Sequence, residues 1–313
     1  MLGLILRRLG STALVMAVVA LFVFGMLHLA PGDPAAVIAG DIATQEDIAR
    51  IRAKLGLDGP LVEQFLVWLG HILVGDLGRS IFSDRPVAEL VLQRMEPTFA
   101  LATTTILFSV LVAIPLGIVA AWRAGSWVDR LVMSFAVLGF SVPVFVFAYV
   151  LILIFAVNLK WLPVMGYVSF REDFWGFIKS LAMPTLALGV TYVALIARIT
   201  RASMLEVIHQ DYIRTAHAKG LALAPILLRH ALKPASVPIV TTIGIGIALL
   251  IGGVVVTESV FAIPGLGRLT VDAILRRDYP IIQGVILIFS GVYVLINLVI
   301  DIVYTFLDPR IRY

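Results

Sequence analysis

Between Lys233 and Glu258 the chain reads Pro234-Ala-Ser-Val-Pro-Ile-Val-Thr-Thr-Ile-Gly-Ile-Gly-Ile-Ala-Leu-Leu-Ile-Gly-Gly-Val-Val-Val-Thr257, with no Asp, Glu, Lys or Arg. A charge-free stretch of about 20 residues or more is long enough to cross roughly 30 Å of hydrocarbon as a helix. Only a helix lets such a segment satisfy its own backbone, and the alternation of a membrane barrel strand is absent. The same test selects five more stretches, between Arg8 and Asp33, Glu96 and Arg123, Arg130 and Lys160, Lys179 and Arg198, and Asp278 and Asp301. The sequence is that of an all-α polytopic membrane protein with six transmembrane helices.

The composition agrees. Of 313 residues, 60% are hydrophobic and 14% charged, with a mean hydropathy of +1.03. Soluble domains are nearer 45 to 50% apolar and about 25% charged, so a water-soluble enzyme is excluded. With no cysteine, thiol catalysis, disulfide frameworks and zinc-cysteine or iron-sulfur sites are excluded too. The formal charge of +4 matters through its placement. With both termini in the cytoplasm, the short inside segments hold 12 Lys and Arg, Arg7 and Arg8 among them, and the two short outside loops hold 6. The long segment 33 to 96 carries six basic residues against ten acids. Long loops cross largely regardless of positive charge, so this one is read as external. The apolar run after Arg8 exceeds a signal-peptide core and is read as a retained helix.

Within the external segment, Thr44 and Asp47 form a helix N-terminal capping pair and Gly56 ends that helix. Leu61, Phe65, Trp68, Leu69 and Ile72 recur at helical spacing, an amphipathic helix for the membrane surface or the transmembrane bundle. Gly75-Asp-Leu-Gly-Arg-Ser80 reads as a turn. In the internal segment Arg198 to Lys233, Leu205, Ile208, Tyr212 and Ala216 make an apolar stripe, Lys219 and Gly220 suit a helix C-terminus, and Pro225 fits the first turn of a second short helix. Such a segment either rests on anionic lipid or projects as a knob.

No Gly-x4-Gly-Lys-Ser/Thr phosphate loop is present, so the chain has no nucleotide cradle of that type. His28, His71, His209, His217 and His230 fall in loops or at a span end without metal-ligand spacing, and no catalytic residue is assigned. The spans lack ionisable residues at mid-depth, where an ion-coupled transporter would keep them. Glu258 and Asp301 stand at span ends, where pairing with an interfacial Arg or a backbone group explains them. Pro115, Pro143 and Pro184 are expected to break their helices near the middle. Ser141, Tyr192, Thr241 and Thr242 place polar groups in apolar spans, as pathway contacts or as interhelical hydrogen bonds.

Asp211-Tyr-Ile-Arg-Thr-Ala-His-Ala-Lys-Gly220, followed by Leu227-Leu-Arg-His-Ala-Leu-Lys-Pro234, resembles the cytoplasmic loop of ABC importer permeases. The general Glu-Ala-Ala-x3-Gly pattern appears as Arg214-Thr-Ala216 before Gly220, without the Glu, a departure shared with the peptide and nickel branch. His28-Leu-Ala-Pro-Gly-Asp-Pro34, Leu55-Gly-Leu-Asp-Gly-Pro60, Gly75 to Ser80, Phe261-Ala-Ile-Pro-Gly-Leu-Gly267, Arg277-Asp-Tyr-Pro280, Asn297 to Asp301 and Asp308-Pro-Arg-Ile-Arg312 are similar, in order, to that branch's first permease.

The resemblance implies a type I importer fold in the bacterial inner membrane. It implies a second homologous permease, two ATP-binding subunits that hold ATP and Mg²⁺, and an external solute-binding protein, with no cofactor in this chain and no nucleic acid partner. Peptides are the first expectation for the solute. On this reading residues 1–32 are the N-terminal segment and first span, 33–96 the external region, and 97–313 a five-helix core with its coupling loop at 198–233. Asp211, Tyr212, Ile213, Arg214, Thr215, Ala216, His217, Ala218, Lys219, Gly220 and Leu221 form the element expected to receive ATPase motion, because coupling needs a part whose position differs between two states. An ion-coupled secondary transporter is the alternative, and the inverted repeat it would carry is not evident in the sequence.

Overall fold

The computed structural model describes residues 2–29, 34–40, 43–54 and 56–307. Ala30 to Asp33, Leu55 and Asp308 to Arg312 of the motifs above lie outside the described residues, as do the side chains of Arg7 and Arg8. The described residues form helices and no strand. In order these are α1 (Leu2–Leu29), α2 (Pro34–Ala39), α3 (Gln45–Lys54), α4 (Leu61–Leu73), α5 (Val87–Trp122), α6 (Trp127–Ser141), α7 (Val144–Asn158), α8 (Phe174–Ile208), α9 (Asp211–Ala218), α10 (Leu223–Val260), α11 (Leu266–Arg276) and α12 (Tyr279–Leu307).

Five helices have the length and apolarity of a span: Gly10–Leu29 within α1, α5, α8, α10, and Tyr279–Tyr304 within α12. The expected span between Arg130 and Lys160 is instead α6 and α7, bent by 103° at their junction. Pro143 is the cause. It lacks an N–H, its ring crowds the carbonyl four residues back, and it pushes Val142 out of the helical region, to φ −86° and ψ 124°. The Gly139 carbonyl four residues before it accepts a bond from Thr191 Oγ1 of α8 at 3.3 Å. Pro115 and Pro184, expected to break their helices, lie inside continuous α5 and α8.

The chain packs as two compact units, 1–94 with 269–294 and 95–268 with 295–313. In the first unit the Thr44–Asp47 capping box is realised in both directions. Asp47 N donates to Thr44 Oγ1 and Thr44 N donates back to Asp47 Oδ2, each at 3.2 Å, and the Thr44 hydroxyl adds a bond to Asp47 Oδ2 at 2.6 Å. Gly56, at φ +67°, closes α3 as expected. The face of α4 formed by Phe65, Trp68, Leu69 and Ile72 turns toward α1. Phe24 meets Phe65 edge-on at 5.3 Å between ring centroids and Trp68 at 5.6 Å, and Ala20, Val23 and Leu287 are buried beneath. Leu61 of the expected stripe is exposed, as are Val62, Leu66 and Val67, so α4 is apolar on both faces.

In the second unit α8 is the central helix. Leu181, Met183, Leu188, Val193, Ile196 and Ala197 are buried in one cluster with Leu101, Ala113 and Ile118 of α5 and Ile239, Leu250 and Val254 of α10. Lipid tails are as apolar as leucine, so packing and interhelical hydrogen bonds hold such helices together. Thr104 and Thr185 share a bond of 2.8 Å, and Ser109 Oγ donates to the Gly189 carbonyl at 3.3 Å.

Candidate functional site

The internal segment is built by how α8 ends. His209 Nδ1 lies 2.7 Å from the Leu205 carbonyl and Gln210 Nε2 donates to the Glu206 carbonyl at 3.3 Å, so two side chains bind carbonyls of the last turn. Gln210 then takes an extended conformation, φ −75° and ψ 148°, and α9 starts at Asp211. The expected single stripe is thereby divided. Leu205 and Ile208 finish α8, Tyr212 is 46% exposed, and Ile213 and Ala216 are the residues turned inward. They belong to the apolar cluster that also holds Met204, Ile226, Leu227 and Ala231. A restart at residue 211 resets the helical phase, so a pattern counted across residues 209–210 selects Tyr212 where Ile213 is buried.

The far end of α9 follows the expectation for Gly220. Gly220 N donates to the His217 carbonyl at 2.9 Å and Leu221 N to the Ala216 carbonyl at 3.3 Å, the paired bonds of a Schellman cap, with Gly220 at φ +75°. Beyond its chain neighbours no atom lies within 4 Å of where a Gly220 Cβ would stand, so a Cβ there meets a backbone penalty and open space. The second short helix is not separate. Pro225 does sit in a first turn, but Leu223–Val260 runs on as one helix. Its Ile226–Ala231 stretch is widened to π geometry. Pro234 follows at once, unable to donate to the His230 carbonyl. Around the seated Ile213 and Ala216, the residues Asp211, Tyr212, Arg214, Thr215, His217, Ala218, Lys219, Gly220 and Leu221 are all exposed. Among the described residues Arg214 pairs locally, with Asp211 at 3.3 Å.

The four polar residues of the spans do not form one site. Tyr192 is buried on α8 and borders a void of about 10 Å³ with Ser109 and Gly246. Thr241 Oγ1 donates to the Val237 carbonyl at 2.7 Å and accepts from Tyr304 Oη at 2.8 Å, an interhelical bond within the second unit. Thr242 Oγ1 donates to the Pro238 carbonyl at 2.9 Å, and Ser141 Oγ to the Val137 carbonyl at 2.8 Å, each within its own helix.

Three carboxylates organise the chain in ways its sequence does not announce. Glu258 is fully buried, accepting from Thr98 Oγ1 at 2.6 Å and from Arg268 N at 3.0 Å, while Thr98 Oγ1 accepts from Leu266 N at 2.8 Å. A Cβ on Gly265 would collide with the Glu258 carboxylate, so the glycine of Phe261–Gly267 is what lets the backbone close over the charge at the start of α11. In the first unit Asp278 accepts from Ser80 Oγ at 2.6 Å and Ile81 N at 3.3 Å, joining two of the quoted motifs. Asp129, buried, receives Arg201 in a bidentate pair at 2.5 and 2.7 Å, and Gly125 N at 2.9 Å. The pairings of Thr98 with Glu258, Ser80 with Asp278 and Arg201 with Asp129 carry no local signal, since they span 72 to 198 residues.

Residues 113–313 match the family described as "Binding-protein-dependent transport system inner membrane component", and residues 1–102 match the corresponding N-terminal family. The chain belongs to this family. It is 55% identical over 309 residues, 99% of each chain, to the "Probable peptide ABC transporter permease protein y4tP" of Sinorhizobium fredii. To the "Glutathione transport system permease protein GsiC" of Salmonella typhimurium it is 44% identical over the whole of both chains. A chain of the inward-facing MetNI methionine ABC transporter shares its fold at a TM-score of 0.58 and 19% identity, covering 70% of this chain and 96% of that one. The protein is thus a multi-pass permease subunit of the ABC importer class, with a fold shared with that structure.

Proposed function

We propose that this chain forms half of the translocation pathway of an ATP-driven peptide importer, beside a homologous second permease, and that α9 receives the motion of two separate ATP-binding subunits. ATP and Mg²⁺ are held by those subunits, the chain itself having no phosphate loop. Peptide is delivered by an external binding protein, and both termini of the permease face the cytoplasm. The observation that carries this reading is the form of residues 211–221: a short helix anchored by Ile213 and Ala216, capped at Gly220, and otherwise exposed. Peptide as solute is supported by y4tP, named as a peptide permease, at 55% identity. The ion-coupled alternative is disfavoured by the buried acids Glu258, Asp278 and Asp129, each committed to hydrogen bonds or an ion pair.

The test is uptake of a labelled dipeptide into proteoliposomes holding both permeases and both ATPases, with binding protein outside and ATP within. ATP-dependent uptake that survives collapse of the membrane potential and proton gradient is expected. Uptake that follows the gradients and ignores ATP would establish the secondary transporter instead.

A further inference from the structure

The first unit contains a cavity of about 940 Å³, lined entirely by its own residues. That is the volume of a small-molecule site, which typically offers apolar and aromatic walls with a few placed polar groups. Phe24, Trp68 and Tyr279 supply aromatic wall. Gln283, only 8% exposed, also lines it. One side-chain N–H of Gln283 donates to the Val23 carbonyl at 3.0 Å, and its amide oxygen has no partner among the described residues. That oxygen stays accessible to solvent and can accept from a donor that enters the cavity.

The charge on the lining has one uncommitted sign. Arg79 is tied to the Asp84 carbonyl at 2.6 Å, and His71 lies 3.2 Å from Asp76. Asp58 and Glu63 have no ion-pair or hydrogen-bond partner among the described residues, and both line the cavity. Asp58 and Glu63 are exposed to water and offer an acyl chain nothing, whereas an ammonium group beside an apolar side chain engages carboxylate, carbonyl and aromatic wall together.

We propose that this cavity is an external waiting site on the permease for a short peptide with a free, protonated amino terminus, held by Asp58, Glu63 and the Gln283 carbonyl with its side chain against Trp68. It rests on the peptide-importer reading and adds to it a site where the ends of the α1 and α12 spans meet the segment between α1 and α5.

The absence of native cysteine permits a direct test in the complete complex reconstituted without its binding protein. Val67→Cys places a thiol in the lining, at a residue 56% exposed, and Glu46→Cys places one on exposed α3 outside it. With a dipeptide at about ten times its dissociation constant, maleimide labelling at residue 67 should slow roughly tenfold, since mass action leaves about a tenth of the sites free. Labelling at residue 46 should not change. The N-acetylated dipeptide should give no protection, and adding Asp58→Asn with Glu63→Gln should raise the half-protecting concentration by about tenfold or more, since each of the two charge-assisted bonds removed is worth about that factor. Equal protection by the acetylated peptide would overturn the proposal. So would protection by the binding protein alone without peptide, which would make the cavity a docking seat. No protection in a complex that still imports peptide in an ATP-dependent manner would overturn this site and leave the importer reading standing.

Discussion

Glu258 shows how much one buried charge demands of its surroundings. A carboxylate out of contact with water is tolerable only if its oxygens are bonded, and the chain supplies a threonine hydroxyl from α5 and a backbone N–H from the start of α11. Closing that backbone over the carboxylate leaves no room for a Cβ at Gly265. Gly265→Ala is therefore expected to destabilise the protein by about 1–3 kcal/mol, the usual range for forcing atoms into a packed site. In a Glu258→Ala background the added methyl meets no carboxylate, so the Gly265→Ala increment should shrink by more than half. Thermal unfolding of the four purified variants in detergent checks the non-additivity. Equal increments in both backgrounds would mean that the close approach is not what the glycine is for. Bonding to a backbone group, one of the two expectations for an acid at this span end, is what the structure contains. Which residues close around Glu258 is not legible in the sequence, because Thr98 stands 160 residues away.

At the scale of single helices, legibility follows the range of the interaction. The α3 cap is readable from Thr44 and Asp47 because both halves of the box lie within one turn. The α9 terminus is readable at Gly220 because a left-handed cap is a property of one residue. The break at Pro143 and the continuity at Pro115 and Pro184 are not distinguishable locally: each proline sits in an apolar run, yet the residue before Pro143 leaves the helical region while Pro115 and Pro184 stay inside helices. The phase of α9 departs from the apolar period because side-chain bonds at His209 and Gln210 decide where α8 stops.

The α3 cap also sets a pH dependence. Hydrogen bonds from the Thr44 hydroxyl and then its backbone N–H hold the Asp47 carboxyl below the ordinary carboxylate range. A pKa lowered in the folded state contributes stability that is complete above the unfolded pKa and is lost as pH falls through the folded one. Amide exchange in Gln45–Lys54, corrected for intrinsic rates, should therefore show faster opening on acidification below the ordinary aspartate pKa of about 3.9. Thr44→Ala should open the helix at neutral pH and flatten that pH response. A Thr44→Ala protein with an unaltered acid response would assign the dependence to another group.

For the whole molecule, the spans are legible because hydropathy and length are local quantities, and five of six stretches are continuous helices. The division into two compact units is not, because each unit is assembled from segments far apart in sequence. The orientation rests on charge placement and is open to direct test in a cysteine-free chain. In intact spheroplasts an impermeant thiol reagent should modify Gln45→Cys and leave His209→Cys unmodified. Labelling at residue 209 alone would reverse the membrane orientation and put α9 outside the cell, away from any ATPase.

The central claim is that α9 couples ATP hydrolysis elsewhere to movement in this chain. Gly220 isolates it, since a β-branched residue at φ +75° strains the cap by about 1–2 kcal/mol at a position whose Cβ would stand in open space. The most direct measurement is the number of peptides imported per ATP hydrolysed by the reconstituted complex, with the native chain and with Gly220→Val, at matched membrane insertion. A ratio falling about fivefold or more in the variant, as a 1 kcal/mol bias on a two-state coupling element gives, is the expected result. An unchanged ratio with normal ATPase association would contradict it and leave α9 as a helix resting on lipid.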